Sequence, residues 1–322
     1  HIPSTCLPAL ADDYPPAPDP TDALMTNNTD QLVRFLLPEA GVRGVHVRLD
    51  ASWQALLGHA QYPPAATELL GEALAASALL TGHIKVDGRL SLMLRSPGDL
   101  RTLFAECTSE GTVRGIVRLA EERDAPRQLS DLGEGAMLAM TIENPGLDPR
   151  EPQRYQSFVN LDAASLEGAL EDYFRQSEQL PTRLLLTANA NGVAGLMLQK
   201  LPGDSGDDDG WNRAGALFET LGHAELASAD AATLLHRLFH QEGVELVGDK
   251  PLSFACSCSR ERVAGMLQSL GQEEALAAAT SNGDRVEVRC EFCGQQYHFS
   301  LTDLNVMFSP TPPHAASPDH LH

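Results

Sequence analysis

The chain has 322 residues, 43% of them apolar, which is enough for two domains or for one large domain with a small module. Its 23 basic and 44 acidic residues give a formal net charge of −21. This charge disfavours nucleic acid as a partner, because phosphate binding requires clustered Lys and Arg. No apolar run approaches the ~18 residues of a membrane helix, so we expect no membrane partner either.

Residues 1–24 have the composition of a disordered N-terminal extension. They hold six prolines, four aspartates and neither Lys nor Arg, a pattern unlike the basic start and apolar centre of a signal peptide. Cys6 lies in this segment, and we interpret it as incidental. At the other end, the Pro- and His-rich residues 311–322 are interpreted as a disordered tail.

Residues 25–202 are predicted to form an α/β core. Short apolar stretches bounded by Gly, Pro, Asp or Asn have the length of strands, and we interpret them as one mostly antiparallel sheet. These stretches are Leu90–Leu94, Gly115–Leu119, Ala136–Ile142, Tyr155–Leu161 and Arg183–Thr187. Apolar residues at helical spacing predict two helices that cover the sheet, Pro64–Leu80 and Leu166–Gln176, the second capped by Ser165.

Residues 203–250 are predicted to form a helical linker. The turn-rich, acidic stretch from Gly203 to Gly210 precedes two predicted helices, Trp211–Leu221 and Ala224–Gln241. The second helix carries large apolar residues that need cover from a partner surface. These residues are Leu226, Leu234, Leu235, Leu238 and Phe239.

Residues 251–310 contain two short-spaced cysteine pairs and are predicted to form a small zinc module. Cys256-Ser257-Cys258 and Cys290-Glu291-Phe292-Cys293 supply four thiolates, the ligand set of a tetrahedral zinc site. We therefore predict one Zn²⁺ per chain. Four unrelated buried cysteines are the weaker interpretation. His298 remains an alternative ligand, although four thiols already complete the set, so we favour a strand residue.

The remaining structure of this module is predicted from its pattern. Arg260–Leu270 and Gln272–Ala279 are interpreted as helices, and Arg285–Arg289 and Gln296–Ser300 as a hairpin with the second cysteine pair at its tip. Gly294 suits the tight turn after Cys293. The whole chain is thus predicted to be α+β, with a mostly antiparallel sheet core covered by helices, a helical linker and a C-terminal zinc-binding module.

Motifs for catalysis are weak throughout the chain. Gly203-Asp204-Ser205-Gly206 resembles a serine-protease segment, but no His and Asp arrangement accompanies it. Gly133-Glu134-Gly135 begins a dinucleotide-binding pattern without its third glycine and is interpreted as a turn. Cys107 is interpreted as a small buried hydrophobe. We therefore predict that the protein is not an enzyme.

The cysteine motifs and their neighbours resemble the 33 kDa chaperonin family, redox-regulated heat-shock holdases of bacteria. The resemblance rests on Phe254 to Arg262 and on Val288 to Phe299. It extends to landmarks upstream, which are Val42 to Gly44, Tyr62-Pro63, Leu70 to Glu72, Tyr173 to Gln179, Leu198-Gln199 and Arg237 to His240. Two departures from the family pattern are Ser157 and Val193-Ala194-Gly195, where we expect glycines, and both put local strand geometry in doubt.

The resemblance implies a redox switch. The reduced form would hold zinc on Cys256, Cys258, Cys290 and Cys293 and be inactive, and the oxidised form would lose zinc and bind unfolding proteins. We expect disulfides Cys256–Cys258 and Cys290–Cys293 in that state. The resemblance also implies that residues 25–202 are the substrate-binding core, that the active form is a homodimer, and that clients pass to the Hsp70 system. Metal-binding thiols fit a reducing compartment, which predicts a cytoplasmic protein.

Two other functions compete with this one. The protein could be a binding or regulatory protein in which zinc is a permanent structural staple. A thiol oxidoreductase is disfavoured because such enzymes present one reactive CxxC at a helix N-terminus, whereas this CxxC belongs to a predicted hairpin beside a second pair.

Overall fold

A long helix enclosed between two β-sheets forms the centre of the fold. The computed structural model describes residues 30–146, 151–203, 206–281 and 283–309. The predicted extension 1–24 with Cys6, the predicted tail 311–322 and Ser205 lie outside the described residues. The described part has the predicted α+β class, with antiparallel pairing throughout the sheets apart from one short strand.

The first sheet has five antiparallel strands and includes a strand from the linker. In spatial order these are β10 (Glu245–Pro251), β1 (Gln31–Leu37), β2 (Val42–Leu49), β9 (Val193–Lys200) and β8 (Thr182–Ala188). One face of this sheet packs on the central helix, and the linker helices cover the other.

The second sheet has six strands. In spatial order these are β11 (Ser253–Phe254), β5 (Thr112–Leu119), β4 (Leu100–Thr108), β3 (Arg89–Arg95), β6 (Met137–Asn144) and β7 (Gln153–Val159). The short β11 runs parallel to β5. The prediction of one sheet was therefore wrong, since the segment Arg183–Thr187 belongs to the first sheet and the other predicted strands belong to the second.

The helix α2 (Pro64–His83) explains why there are two sheets. It buries residues on all sides, and its alanines let strands approach closely. A Cβ atom on Gly115 of the second sheet would lie 2.9 Å from Leu70, and one on Gly195 of the first would lie 2.8 Å from Leu79. A side chain at either position would force a leucine of α2 to shift, so both sheets lie close against this helix.

Two further helices complete the core, α1 (Ala51–Leu57) and α3 (Leu166–Tyr173), and a π-helical turn follows α3. The predicted cap is confirmed, because the Ser165 side chain accepts a hydrogen bond from the Gly168 amide. The departures from the family pattern leave the ladders regular. Ser157 lies opposite Met140, and Val193 lies opposite Leu49.

The linker helices are α4 (Gly210–Glu219), α5 (His223–Ser228) and α6 (Ala231–Phe239). The prediction of one helix over Ala224–Gln241 was wrong. The backbone is extended at Ala229 and Asp230, and the Asp230 carboxylate caps α6 by accepting from the Thr233 amide at 2.9 Å. Asp competes for backbone donors in this way and so starts a new helix.

The apolar face predicted for the linker is buried as expected. Leu226, Leu234 and Phe239 are fully buried against the first sheet, and the Phe239 ring stacks on Phe35 with centroids 6.2 Å apart.

The C-terminal module contains α7 (Arg260–Leu270), α8 (Gln272–Ser281), the hairpin β12 (Arg285–Arg289) and β13 (Gln296–Ser300), and α9 (Leu301–Phe308). The predicted helices and hairpin are confirmed, whereas α9 was not predicted. A small cluster of its own, including Val263, Phe299 and Leu304, holds the module together. Among the described helices, none has the length and apolar character needed to cross a membrane.

Candidate metal centre

The four predicted ligands converge on one point. The ligand atoms of Cys256, Cys258, Cys290 and Cys293 all lie within 4.8 Å of one another. The Sγ atoms of Cys256 and Cys290 are 3.6 Å apart, and those of Cys258 and Cys293 are 3.3 Å apart. Both of these short separations join a sulfur of one pair to a sulfur of the other.

Local backbone structure positions the two pairs. Cys256 and Cys258 lie in the extended segment between β11 and α7, and Cys290 to Cys293 form the tip of the β12–β13 hairpin. At this tip, the Cys290 amide donates to the Gln295 carbonyl and the Gly294 amide donates to the Cys290 carbonyl, each at 2.8 Å. Gly294 has φ +68°, so the turn uses the conformation that favours glycine.

The donor set fits zinc. Four thiolates at about 2.3 Å from a tetrahedral Zn²⁺ would place the sulfurs about 3.8 Å from each other, close to the observed spacing. All four cysteines are partly exposed and none is fully buried. The cysteines could therefore hold one metal ion and could also be oxidised.

Tyr297 is a neighbour of the centre that the sequence did not indicate. Its hydroxyl donates to Sγ of Cys258 at 3.1 Å. Burial acts to raise the pKa of the Cys258 thiol, but the hydrogen bonds from Tyr297 and the other thiols outweigh it and lower this pKa to about 7. The same hydrogen bond raises the pKa of Tyr297 to about 12. Tyr297 lies on β13, four residues after Cys293. Its contact with Cys258 can be recognised only once the register of the hairpin is known.

The weaker candidates are separated from this centre. His298 lies on β13, as predicted, and its Nδ1 is 3.9 Å from the Glu287 carboxylate instead of facing the sulfurs. Cys107 is buried on β4, where burial raises the pKa of its thiol to about 12. Such a thiol is unreactive. Gly133 and Gly135 have positive φ angles in a turn, as predicted.

Comparisons with known proteins agree with this architecture. The family model described as Hsp33 protein matches residues 30–300. The chain is 43% identical over 282 residues to the 33 kDa chaperonin of Ectopseudomonas mendocina, covering 86% of this chain and 94% of the relative. It is 44% identical to that of Azotobacter vinelandii over 282 residues, covering 86% and 93%.

A solved structure shows the same fold. The crystal structure of the 33 kDa chaperonin of Thermotoga maritima, a heat shock protein 33 homolog, aligns with a TM-score of 0.68 at 22% identity. The alignment covers 87% of this chain and 97% of that one. With a family match that spans most of its length and relatives above 40% identity, this chain belongs to the Hsp33 family.

Proposed function

We propose that this protein is a holdase chaperone, switched on by oxidation of Cys256, Cys258, Cys290 and Cys293 and the accompanying loss of zinc. The relatives named 33 kDa chaperonin support a chaperone, and the family is one of chaperones and not of enzymes. The observation that carries the redox part is the cluster of four partly exposed thiols in a small module next to the linker.

Metal and fold are coupled in a module of this size. A segment of about 60 residues rarely holds itself together by apolar burial alone, and the buried cluster of this module is small. A bound zinc ion would keep the sulfurs as thiolates and contribute on the order of 10–16 kcal/mol to folding. Loss of the four thiolates would therefore remove most of the stability of the module.

Oxidation within each pair is the step that would remove the ligands. Two thiolates give up two electrons to one molecule of hydrogen peroxide, whose O–O bond breaks; with two protons from solvent this forms one S–S bond and two water molecules, and the zinc ion loses two ligands. Disulfides Cys256–Cys258 and Cys290–Cys293 would close loops of only three or four residues, each worth roughly 2 kcal/mol by the chain-entropy estimate. Neither disulfide joins one cysteine pair to the other, so the module would lose the link between the two pairs that zinc provides.

The linker would transmit this loss to the core. Its helices α5 and α6 bury Leu226, Leu234 and Phe239 on the first sheet, and the chain continues from them through β10 and β11 into Cys256. Undocking would expose a continuous apolar face on the sheet and on the helices, a surface suited to unfolded chains.

The other partners follow from the same proposal. Unfolded client proteins would bind the exposed face, the active form would be a homodimer, and clients would pass to the Hsp70 system. The domain limits also remain predictions: a substrate-binding core over 25–202, a linker over 203–250 and a redox module over 251–310. A cytoplasmic location fits the reduced thiols of the resting state.

One experiment tests the switch against a zinc centre that is only structural. Zinc content, free thiols and suppression of aggregation of a denatured test protein are measured in one sample before and after peroxide at mildly denaturing temperature. We expect loss of zinc and of four thiols together with a gain of holdase activity. Loss of zinc and thiols without any gain of activity would support the alternative, a zinc-stapled binding or regulatory protein.

A further inference from the structure

The second sheet contacts the cysteine motifs directly, through residues that do not belong to the linker. Three side chains on its outer face form a site that we call the core seat: Phe104 and Glu106 on β4, and Arg114 on β5. Phe104 and Glu106 alternate onto the same face of β4, and Arg114 lies directly opposite Glu106 in the antiparallel register.

Arg114 is held in place by the core before it touches the module. Its Nε donates to Oε1 of Glu106 at 2.8 Å, and the side chains of Arg114 and Glu106 are 14% and 6% exposed. A guanidinium that is already ordered loses less side-chain entropy when it forms further contacts. The seat is therefore a preformed surface.

The residues between the cysteines are the ones that occupy this seat. Nη1 of Arg114 donates to Oγ of Ser257, between Cys256 and Cys258, at 2.8 Å. The guanidinium carbon of Arg114 lies 4.7 Å from the ring centroid of Phe292, between Cys290 and Cys293. The Phe292 ring also packs edge-on against Phe104, with centroids 5.6 Å apart and planes at 78°. One arginine thus contacts both cysteine turns.

We propose that Arg114 and Phe104 are positioning residues for the metal centre, which hold the Ser257 and Phe292 turns against the core and slow oxidation of the thiols. This proposal rests on the proposed redox function. An arginine over an aromatic face and an edge-on aromatic pair both stabilise beyond simple burial. Closing a disulfide within either pair brings its sulfurs to about 2.05 Å, which reshapes the turn that carries Ser257 or Phe292.

The hairpin tip that the seat holds also borders a cleft beside one of the four thiols, that of Cys290. A cleft of about 630 Å³ lies between the module and the core, lined by Tyr62, Ile116, Cys290 and Glu291 among others. Phe292 anchors the hairpin tip beside this cleft. Release of Phe292 would let the tip move away and would open the cleft to peroxide.

A neighbouring ion pair provides a matched control. Arg118, four residues after Arg114 on β5, pairs with Glu291 of the same hairpin tip, but their side chains are 58% and 56% exposed. Exposed ion pairs contribute little to stability. The substitution Arg118→Gln removes one cation from the same strand without touching the core seat.

The rate of zinc release under peroxide at 25 °C, followed with a chromogenic chelator, tests the proposal. We expect Phe292→Ala and Arg114→Lys to retain one zinc per chain when reduced and to release it about tenfold faster than the unchanged protein. Phe292→Tyr, which keeps the ring, and Arg118→Gln should stay within about twofold of it. The effects of the two changes in the double variant Phe292→Ala/Arg114→Lys should be less than additive, because both remove the Arg114–Phe292 contact.

Release rates for Phe292→Ala and Arg114→Lys equal to that of the unchanged protein would overturn the proposal. Fully additive effects in the double variant, or equal acceleration by Arg118→Gln, would overturn it as well. Hydrogen exchange at residues 112–119 distinguishes two causes of faster release. Faster exchange confined to this region would indicate undocking of the module, whereas faster exchange throughout the core would indicate general destabilisation and would count against the seat. If the proposed function fails, none of the proteins gains holdase activity on oxidation, while the release rates still report on the seat.

Discussion

Acidification should loosen the linker through one buried histidine, His46. It lies on β2 with 0% exposure, on the sheet face that the linker helices cover. Neither of its ring nitrogens has a hydrogen-bond partner among the residues that the structure describes. Burial, and secondarily Arg48, lower the pKa of His46 to about 4, while Asp230 at the start of α6 acts in the opposite direction.

The sign and size of the effect follow from this pKa. With the linker docked, burial holds the pKa of the imidazole at about 4, and exposure to solvent on release should return this pKa towards its ordinary value of 6.5. The released state therefore binds the proton more tightly, so docking is fully stable above pH 6.5 and weakens as the pH falls towards 4. At about 1.36 kcal/mol per pKa unit, the loss is on the order of 3 kcal/mol.

Hydrogen exchange of the α5 and α6 amides, corrected for intrinsic rates, measures the free energy of linker opening between pH 7 and pH 4. In the unchanged protein this free energy should fall by about 3 kcal/mol. The variant His46→Leu cannot be protonated, so this fall should largely disappear. In this variant the linker should also dock more tightly at pH 7, because the substitution removes unsatisfied polar atoms whose burial costs about 1–3 kcal/mol.

His236→Gln is the matched control, since His236 is an exposed histidine on α6 itself. It should keep the pH dependence of the unchanged protein. An equally steep pH dependence in His46→Leu would show that protonation of His46 does not drive linker opening, and the reasoning would fail.

Three further predictions concern the switch. The double variant Cys290→Ser/Cys293→Ser should lose zinc and unfold the module, costing on the order of 10 kcal/mol of metal-linked stability; metal analysis that still finds full, tight zinc would contradict the ligand assignment. Peptide mapping after peroxide should find Cys256–Cys258 and Cys290–Cys293 bridges with Cys107 still free, because the pKa of this buried thiol is raised to about 12; a dominant bridge between the pairs would argue against it. Polar substitutions at Leu234 and Leu238, both on α6 and buried in the cluster that joins the linker to the first sheet, should give holdase activity and stronger binding of a hydrophobic dye in the reduced, zinc-loaded state, and variants that undock yet stay inactive until oxidised would exclude the linker as the gate.

The parts that sequence analysis predicted well depend on local chemistry. Two close cysteine pairs can be recognised without any knowledge of the fold, and the structure brings their four sulfurs together. The Ser165 cap and the Gly294 turn are likewise set by residues a few positions apart.

The parts that it missed depend on tertiary context. The burial of α2 on all sides separates two sheets that periodicity alone merged into one. The break between α5 and α6 rests on one aspartate whose capping role competes with a helical apolar pattern. Tyr297, Arg114 and His46 acquire their roles only from the register of the hairpin, from the pairing of β4 with β5 and from the cover of the linker.

The buried apolar side chains of the described residues fall into three separate clusters, and this separation allows parts of the molecule to open independently. The cluster around α2 draws all its buried members except Leu252 from the core, the second joins the first sheet to the linker, and the third lies within the C-terminal module. Regions with their own clusters can open as independent cooperative units. The C-terminal module can thus unfold, and the linker can then separate from the first sheet, while α2 still holds both sheets together. The core then keeps its fold after the linker has separated from it. Refolding therefore requires only that the linker and the C-terminal module pack against a folded core again.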